Sequence, residues 1–267
     1  MADPRTLRVC ALYPDLMNIY ADRGNLLMLR RRCEWRGIGF ELVGSGIGEQ
    51  IDPYADLYYM GGGQDRDQEL CAADLFEHKR ETLAAAASAG AVVLGVCGGY
   101  QLLGHAYQLA DEELPGIGLL DVRTARADGP RLIGNIAIEV ELPGDERRIL
   151  AGFENHAGRT HLGEQAQPLG RVLSGHGNNG SDALEGAREG TVIGTYMHGP
   201  LLPKNPGLAD HLLLAAVRRR YGVEELEPLD DHLEDLTAKV AASRPRGPRQ
   251  PWAVHHRARP RMRRVRL

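Results

Sequence analysis

The segment Gly95-Val96-Cys97-Gly98-Gly99-Tyr100-Gln101 follows the apolar run Ala91-Val92-Val93-Leu94. A short apolar run of this kind reads as a buried strand. Gly-x-Cys-Gly-Gly behind it reads as a sharp turn into a helix, the thiol form of a nucleophile elbow. Glycines beside the cysteine let the backbone turn without a Cβ clash. The turn presents the side chain where sheet meets helix N-terminus, and unpaired helix N–H groups there favour the thiolate. A cysteine nucleophile then needs a base, donors for an oxyanion and groups that hold the substrate. Of the ten histidines, His198 is the candidate base, in Gly194-Thr195-Tyr196-Met197-His198-Gly199-Pro200. It follows a strand-like segment and lies in a Gly/Pro turn able to present an imidazole.

These residues need a scaffold that brings distant strand ends together. Leu7–Tyr13, Phe40–Val43, Ala55–Met60 and Ala91–Val96 read as strands. Between them lie helical stretches at about 25–36, where Leu26, Leu29 and Cys33 share a face opposite the arginines, and about 68–89. The elbow helix is expected over Gly99–Leu109. Strand and helix alternate, which implies an α/β fold: a three-layer sandwich, mainly parallel sheet with helices on both faces. After Pro115 the texture changes to short strands, Leu132–Leu142, Phe153–Thr160, Arg171–Ser174 and Thr191–Tyr196. They suggest a small antiparallel extension and a return to the main sheet. Pro206–Tyr221 reads as a final long helix and Asp230–Ala242 as a short terminal one.

Composition fits an ordinary globular chain, with 43% hydrophobic and 25% charged residues. The 33 glycines cluster in runs such as Gly61-Gly62-Gly63, reading as tight functional turns. No Asp, Glu, Lys or Arg occurs from Leu83 to Ala110, but the glycines, Gln101, His105 and Gln108 within it argue for core rather than a membrane span of about 20 apolar residues. Cys10, Cys33, Cys71 and Cys97 form no C-x-x-C pair, so reduced thiols in a cytoplasmic protein are expected, with no metal constellation. The net charge of −4 divides into −13 for the body and +9 for residues 243–267, which hold nine arginines and four prolines. That tail is expected to be disordered and to take no part in the chemistry, and residues 1–242 to form the domain. No nucleic-acid partner is expected.

The chain resembles the class I glutamine amidotransferases, in the branch shared with the cobyric acid synthases. The resemblance rests on Gly-x-Cys-Gly-Gly-x-Gln at 95–101 and Tyr-x-His-Gly at 196–199. Supporting segments are Asn18–Leu26, Gly61-Gly62-Gly63-Gln64-Asp65, Arg131-Leu132-Ile133-Gly134-Asn135 and Glu154-Asn155-His156-Ala157-Gly158-Arg159, together spanning about 7–222. Within the branch it is most similar to the free-standing glutaminase subunits of lipid II isoglutaminyl synthases.

The resemblance implies a flavodoxin-like amidotransferase fold and hydrolysis of L-glutamine through a Cys97 thioester. His198 would be general acid and base. An oxyanion would be held by the N–H of Gly98 and one from the glycine loop, Gly62 or Gly63. Arg131 would contact the bound glutamine. Gln101 either lines the pocket or caps its turn, and Asn155, His156 and Arg159 either shape the pocket wall or hold a strand turn. Asp22, Asn25 and Asp65 read as loop-fixing groups. One departure stands out: relatives of this class carry His-x-Glu, whereas Pro200 follows here. Cys97 and His198 would then act as a dyad, or a partner would supply the acid.

No Walker-type phosphate loop is present, so no cofactor is expected on this chain. ATP and Mg would belong to a second subunit. The resemblance implies a heterodimer with a MurT-like, Mur-ligase-like partner that activates the D-glutamate of lipid II at the inner face of the plasma membrane. A related amidotransferase with another acceptor such as a corrinoid, a cysteine hydrolase on the same fold, and an inactive binding module remain alternatives.

Overall fold

The computed structural model describes residues 5–19, 22–109, 112–126, 129–142 and 147–243. The chain opens with β1 (Thr6–Leu12), α1 (Arg23–Glu34), β2 (Gly39–Ser45) and β3 (Leu57–Met60). α2 (Asp65–Asp74) and α3 (Arg80–Ser88) follow, then β4 (Val92–Val96) and the short α4 (Gly98–Leu103). A β-rich stretch comes next: β5 (Ala106–Leu109), β6 (Glu112–Pro115), β7 (Val122–Arg126), β8 (Leu132–Val140), β9 (Arg148–His156), β10 (Gly158–Leu162) and β11 (Gly170–Ser174). β12 (Leu184–Glu185), β13 (Ala187–Glu189) and β14 (Val192–Thr195) lead into α5 (Leu201–Lys204), α6 (Pro206–Tyr221) and α7 (His232–Ser243).

The central sheet has the order β13-β14-β4-β3-β1-β2 and is parallel except for the β13–β14 pair. β2 lies on one side of β1, and β3 and β4 on the other. Right-handed crossovers therefore put α1 on one face and α2 and α3 on the opposite one. β3 and β4 are buried along their whole length, as strands covered on both faces must be. This is the three-layer α/β arrangement expected from the alternating pattern.

The extension is larger than the sequence suggested. It forms two four-stranded sheets, β10-β7-β5-β6 and β12-β11-β8-β9. The elbow helix stops at Leu103, and residues 106–109 pair with β6 and β7 instead of continuing the helix. Gly104 in extended conformation ends it, and a side chain there would meet Val122. The strand expected over Phe153–Thr160 is two, divided at Ala157.

The single helix expected over 68–89 carries a π turn at Leu75–Lys79. That wider turn brings residues five apart together. Lys79, fully buried, thereby meets Asp74 and also donates to Gly46 O at 3.0 Å.

The arginines of α1 were expected to face water, but Arg32 is fully buried. Its guanidinium forms two-point contacts with Asp210 at 2.5 Å and with Asp231 at 2.7 Å, while Arg36 donates to Asp210 at 2.7 Å and to Glu227 O at 2.6 Å. α1 is thus clamped to α6 and to the segment before α7. Arg32→Ala is expected to destabilise the fold by about 2–4 kcal/mol, below the largest losses for buried pairs because both carboxylates keep about a quarter of their surface in water. A fall in the urea midpoint of that size checks it.

No helix among the described residues is long and apolar enough to cross a membrane. The basic tail beyond Ser243 lies outside the described residues.

Candidate active site

β4 ends at Val96, and Cys97 takes φ +54° and ψ −107°, a backbone region non-glycine residues rarely occupy. The strain is carried by the cysteine itself, and its neighbours supply room. A Cβ on Gly95 would lie 2.6 Å from Leu103 Cδ1 and 2.9 Å from the carbonyl carbon of Gly99, because α4 folds back on its own strand. Three hydrogen bonds over-determine the turn. Cys97 N–H donates to Thr195 O at 2.8 Å, Gly99 N–H to Gly61 O at 3.0 Å and Gln101 N–H to Cys97 O at 3.2 Å.

β14 runs beside β4 in parallel, with Val96 opposite Thr195. Cys97 and His198 therefore leave the same sheet edge from adjacent strands about 4.8 Å apart. His198 is fixed through its backbone, donating to Phe153 O at 2.9 Å and accepting from Phe153 N–H at 3.0 Å. Its ring meets the Phe153 ring edge to face, with centroids 5.9 Å apart. Gly199, at φ +84°, turns the chain away, and Pro200 leads into α5. Below the turn, buried Glu185 accepts from Thr195 Oγ1 at 3.0 Å and Tyr196 N–H at 2.7 Å.

On the other side of Cys97 the glycine loop leaves β3. A Cβ on Gly62 would sit 3.3 Å from Cys97 Cβ, so any side chain there would crowd the nucleophile. Gly62 N–H donates to Asp22 Oδ2 at 2.8 Å, and Gly62 O accepts from Ile19 N–H at 3.1 Å. Of the expected oxyanion donors, Gly62 is thus occupied, whereas the Gly98 N–H points at the Cys97 side chain. Gly63 packs against Met17.

Arg131 is exposed and donates to Asn155 Oδ1 at 2.8 Å and Asn155 O at 2.9 Å. Its charge acts on both Cys97 and His198, so it stands within electrostatic reach of both. Gln101 lies inside: its carbonyl accepts from Gln68 at 2.7 Å and its amide donates to Tyr196 Oη at 3.1 Å. Tyr196 continues to Thr160 at 2.6 Å, and Thr160 to Thr124 at 2.7 Å. His156 stacks on Tyr196 with centroids 3.6 Å apart, and Arg159 donates to Ala157 O at 2.7 Å and Pro130 O at 2.9 Å. Gln101, His156 and Arg159 are therefore held by interior or turn contacts, with Arg131 and Asn155 on the outer side. Asn25 is loop-fixing as expected, donating to Tyr59 Oη at 2.9 Å and accepting from Leu202 N–H at 2.8 Å.

The electrostatics correct one expectation. Burial, and then the carboxylate of Asp22, push the Cys97 thiol up to about 12, against the pull of the Gly98 N–H and Arg131. A six-residue helix does not offset that desolvation, so the resting sulfur is a thiol, not a thiolate. His198 is lowered to about 4 by burial and then by Lys204 and Arg131. Both shifts favour the uncharged forms at neutral pH, a thiol and a neutral imidazole. Among the described residues no cluster of His, Cys, Asp or Glu could hold a metal ion.

Sequence reasoning gave no role to Gln68 or to the Tyr196 hydroxyl, and it read Asp22 as a loop-fixing group without its place beside Cys97. Its carboxyl makes no capping bond and turns instead to the glycine loop.

Residues 8–206 match the model of the CobB/CobQ-like glutamine amidotransferase domain. The chain is 36% identical over 239 residues to the Streptococcus pneumoniae "Lipid II isoglutaminyl synthase (glutamine-hydrolyzing) subunit GatD", covering 88% of this chain and 90% of that protein. It is 38% identical over 232 residues to the Staphylococcus aureus subunit of the same name, covering 86% and 92%. A cobyric acid synthase of Pelotomaculum thermopropionicum is 42% identical over 157 residues, which is 52% of this chain and 28% of that enzyme. A family match over most of the chain and relatives of this identity and coverage show that the chain belongs to the CobB/CobQ-like glutamine amidotransferase family.

Proposed function

We propose that this chain is the glutamine-hydrolysing subunit of a lipid II isoglutaminyl synthase, feeding ammonia to a MurT-like ligase subunit. The observation that carries the chemistry is the placement of Cys97 and His198 at one edge of adjacent parallel strands, with Gly62 against the sulfur-bearing residue. Similarity to the two GatD subunits over most of both chains supports the pathway.

The reaction follows from the neutral pair. As Cys97 Sγ attacks the side-chain carboxamide carbon of glutamine, its proton passes to the His198 imidazole. The carbonyl oxygen becomes an oxyanion facing the Gly98 N–H and the glycine loop. His198 returns the proton to the amide nitrogen, the C–N bond breaks, and ammonia leaves a γ-glutamyl thioester. His198 then takes a proton from water, whose oxygen attacks the thioester carbon. Glutamate departs and the proton returns to the sulfur. Arg131, with a guanidinium shaped for two-point binding of a carboxylate, holds the α-carboxylate of the substrate. ATP and Mg act on the partner, where the D-glutamate carboxyl is activated. The complex works at the cytoplasmic face of the membrane, where lipid II is presented.

The full chain purified with a Mur-ligase-like partner is expected to convert lipid II D-glutamate to D-isoglutamine with glutamine and ATP, releasing one glutamate per amide formed. Glutamate release without lipid II amidation would point to another acceptor, and no glutamate release would overturn the reading.

A further inference from the structure

Asp22 combines features that a loop-fixing residue does not need. It is fully buried, it stands at the N-cap position of α1 without capping that helix, and one of its oxygens, Oδ1, has no hydrogen-bond partner among the described residues. A buried carboxylate oxygen left unmatched costs stability and calls for an explanation. Its other oxygen takes the Gly62 N–H, at 2.8 Å. The position a Cβ on Gly62 would occupy is 3.4 Å from Asp22 Oδ2 and 3.3 Å from Cys97 Cβ, so carboxyl and nucleophile flank one peptide. The next peptide, Gly62–Gly63, is held by Ile19 N–H, which donates to Gly62 O at 3.1 Å.

We infer that Asp22 is a positioning residue that masks the Gly62 N–H in the resting subunit, and that glutamine hydrolysis proceeds only as this carboxyl lets the N–H turn to the oxyanion. The inference rests on the proposed glutaminase reaction, in which an N–H of this loop receives that charge. Electrostatics adds to the geometry. An ionised Asp22 opposes both a thiolate at Cys97 and an oxyanion beside it, and it is the largest charge raising the thiol. The groups facing Asp22 are Cys97 from the elbow and Tyr59 from β3, whose hydroxyl donates to Asp22 O at 3.3 Å. Neither is a cation that would cancel the carboxylate. Burial raises Asp22 itself to about 7 against the pull of the Gly62 N–H, so a fraction of the carboxyl is already protonated near neutral pH.

Asp22→Asn keeps the shape and an acceptor for Gly62 but removes the charge. In the full chain, Asp22→Asn is expected to speed iodoacetamide alkylation of Cys97 at pH 8 by about tenfold, the equivalent of one pKa unit. It should also raise kcat for glutamine several-fold with KM unchanged. Unchanged alkylation, or a fall in kcat, would overturn the inference by reducing Asp22 to a structural pin. A second measurement avoids any folding defect of the variant. In a structure of the wild-type chain alkylated by a glutamine-derived diazoketone, Gly62 N–H should contact the adduct oxygen and no longer Asp22; an intact Asp22–Gly62 bond there would overturn it. Because alkylation does not require turnover, a wild-type complex that fails to hydrolyse glutamine would sink the proposed function while the charge effect of Asp22 is still read.

Discussion

Cys97→Ala is expected to lower glutamine hydrolysis by roughly 10⁴-fold or more, since the proposed acyl intermediate forms on its sulfur. The variant should fold normally. Cys97 packs at the edge of the core with 8% of its surface exposed, and alanine keeps the Cβ while shedding one atom. The informative comparison is made in the complex. With glutamine as donor, lipid II amidation should vanish along with glutamate release. With an ammonium salt at elevated pH, where free ammonia is abundant, amidation should return to a large fraction of the wild-type rate. Loss of both donors would mean that Cys97 supports the complex itself, and retained glutamine use would remove it from the chemistry.

His198→Ala should cost about 10²–10⁴ in kcat, the usual contribution of a general acid and base. The pH profile adds a test that truncation cannot. In the proposed reaction His198 is a base only when neutral, and its pKa is lowered to about 4, so activity is expected to fall with its protonation near that value rather than in the ordinary histidine range. The thiol, pushed up to about 12, stays protonated until far into alkali. In Asp22→Asn, which lacks the carboxyl raised to about 7, kcat/KM, which reports the free enzyme, is therefore expected to be flat from about pH 5.5 to 8.5. An inflection near 6.5 would mean that the imidazole is not desolvated in solution.

Much of this site was readable from residue types because its signals are local. Glycines around Cys97, the Gly61–Gly63 run and the Tyr-Met-His-Gly turn each specify a backbone path within a few residues. The alternation of apolar runs with helical periodicity likewise specified β1, β3, β4 and the helices between them. What escaped depends on partners far along the chain. Arg32 sits on what periodicity marks as the wet face of α1, and only Asp210 and Asp231, almost 180 and 200 positions away, make its burial tolerable. Residues 106–109 lack a strong pattern of their own and become a strand because β6 and β7 offer edges. The thiol's ionisation was misjudged for the same reason. The helix N-terminus is visible in the sequence, but the depth of burial and the carboxylate of Asp22 are not.

The way the sulfurs are housed bears on survival under oxidative stress. Hydroperoxides attack thiolates, and susceptibility follows thiolate character and access. Cys10, Cys33, Cys71 and Cys97 are all buried, and burial is the first cause that lifts each one, to about 11, 12, 12 and 12. At rest the subunit thus offers peroxide no ready target, and the window for sulfenic acid formation narrows to the turnover events in which Cys97 surrenders its proton.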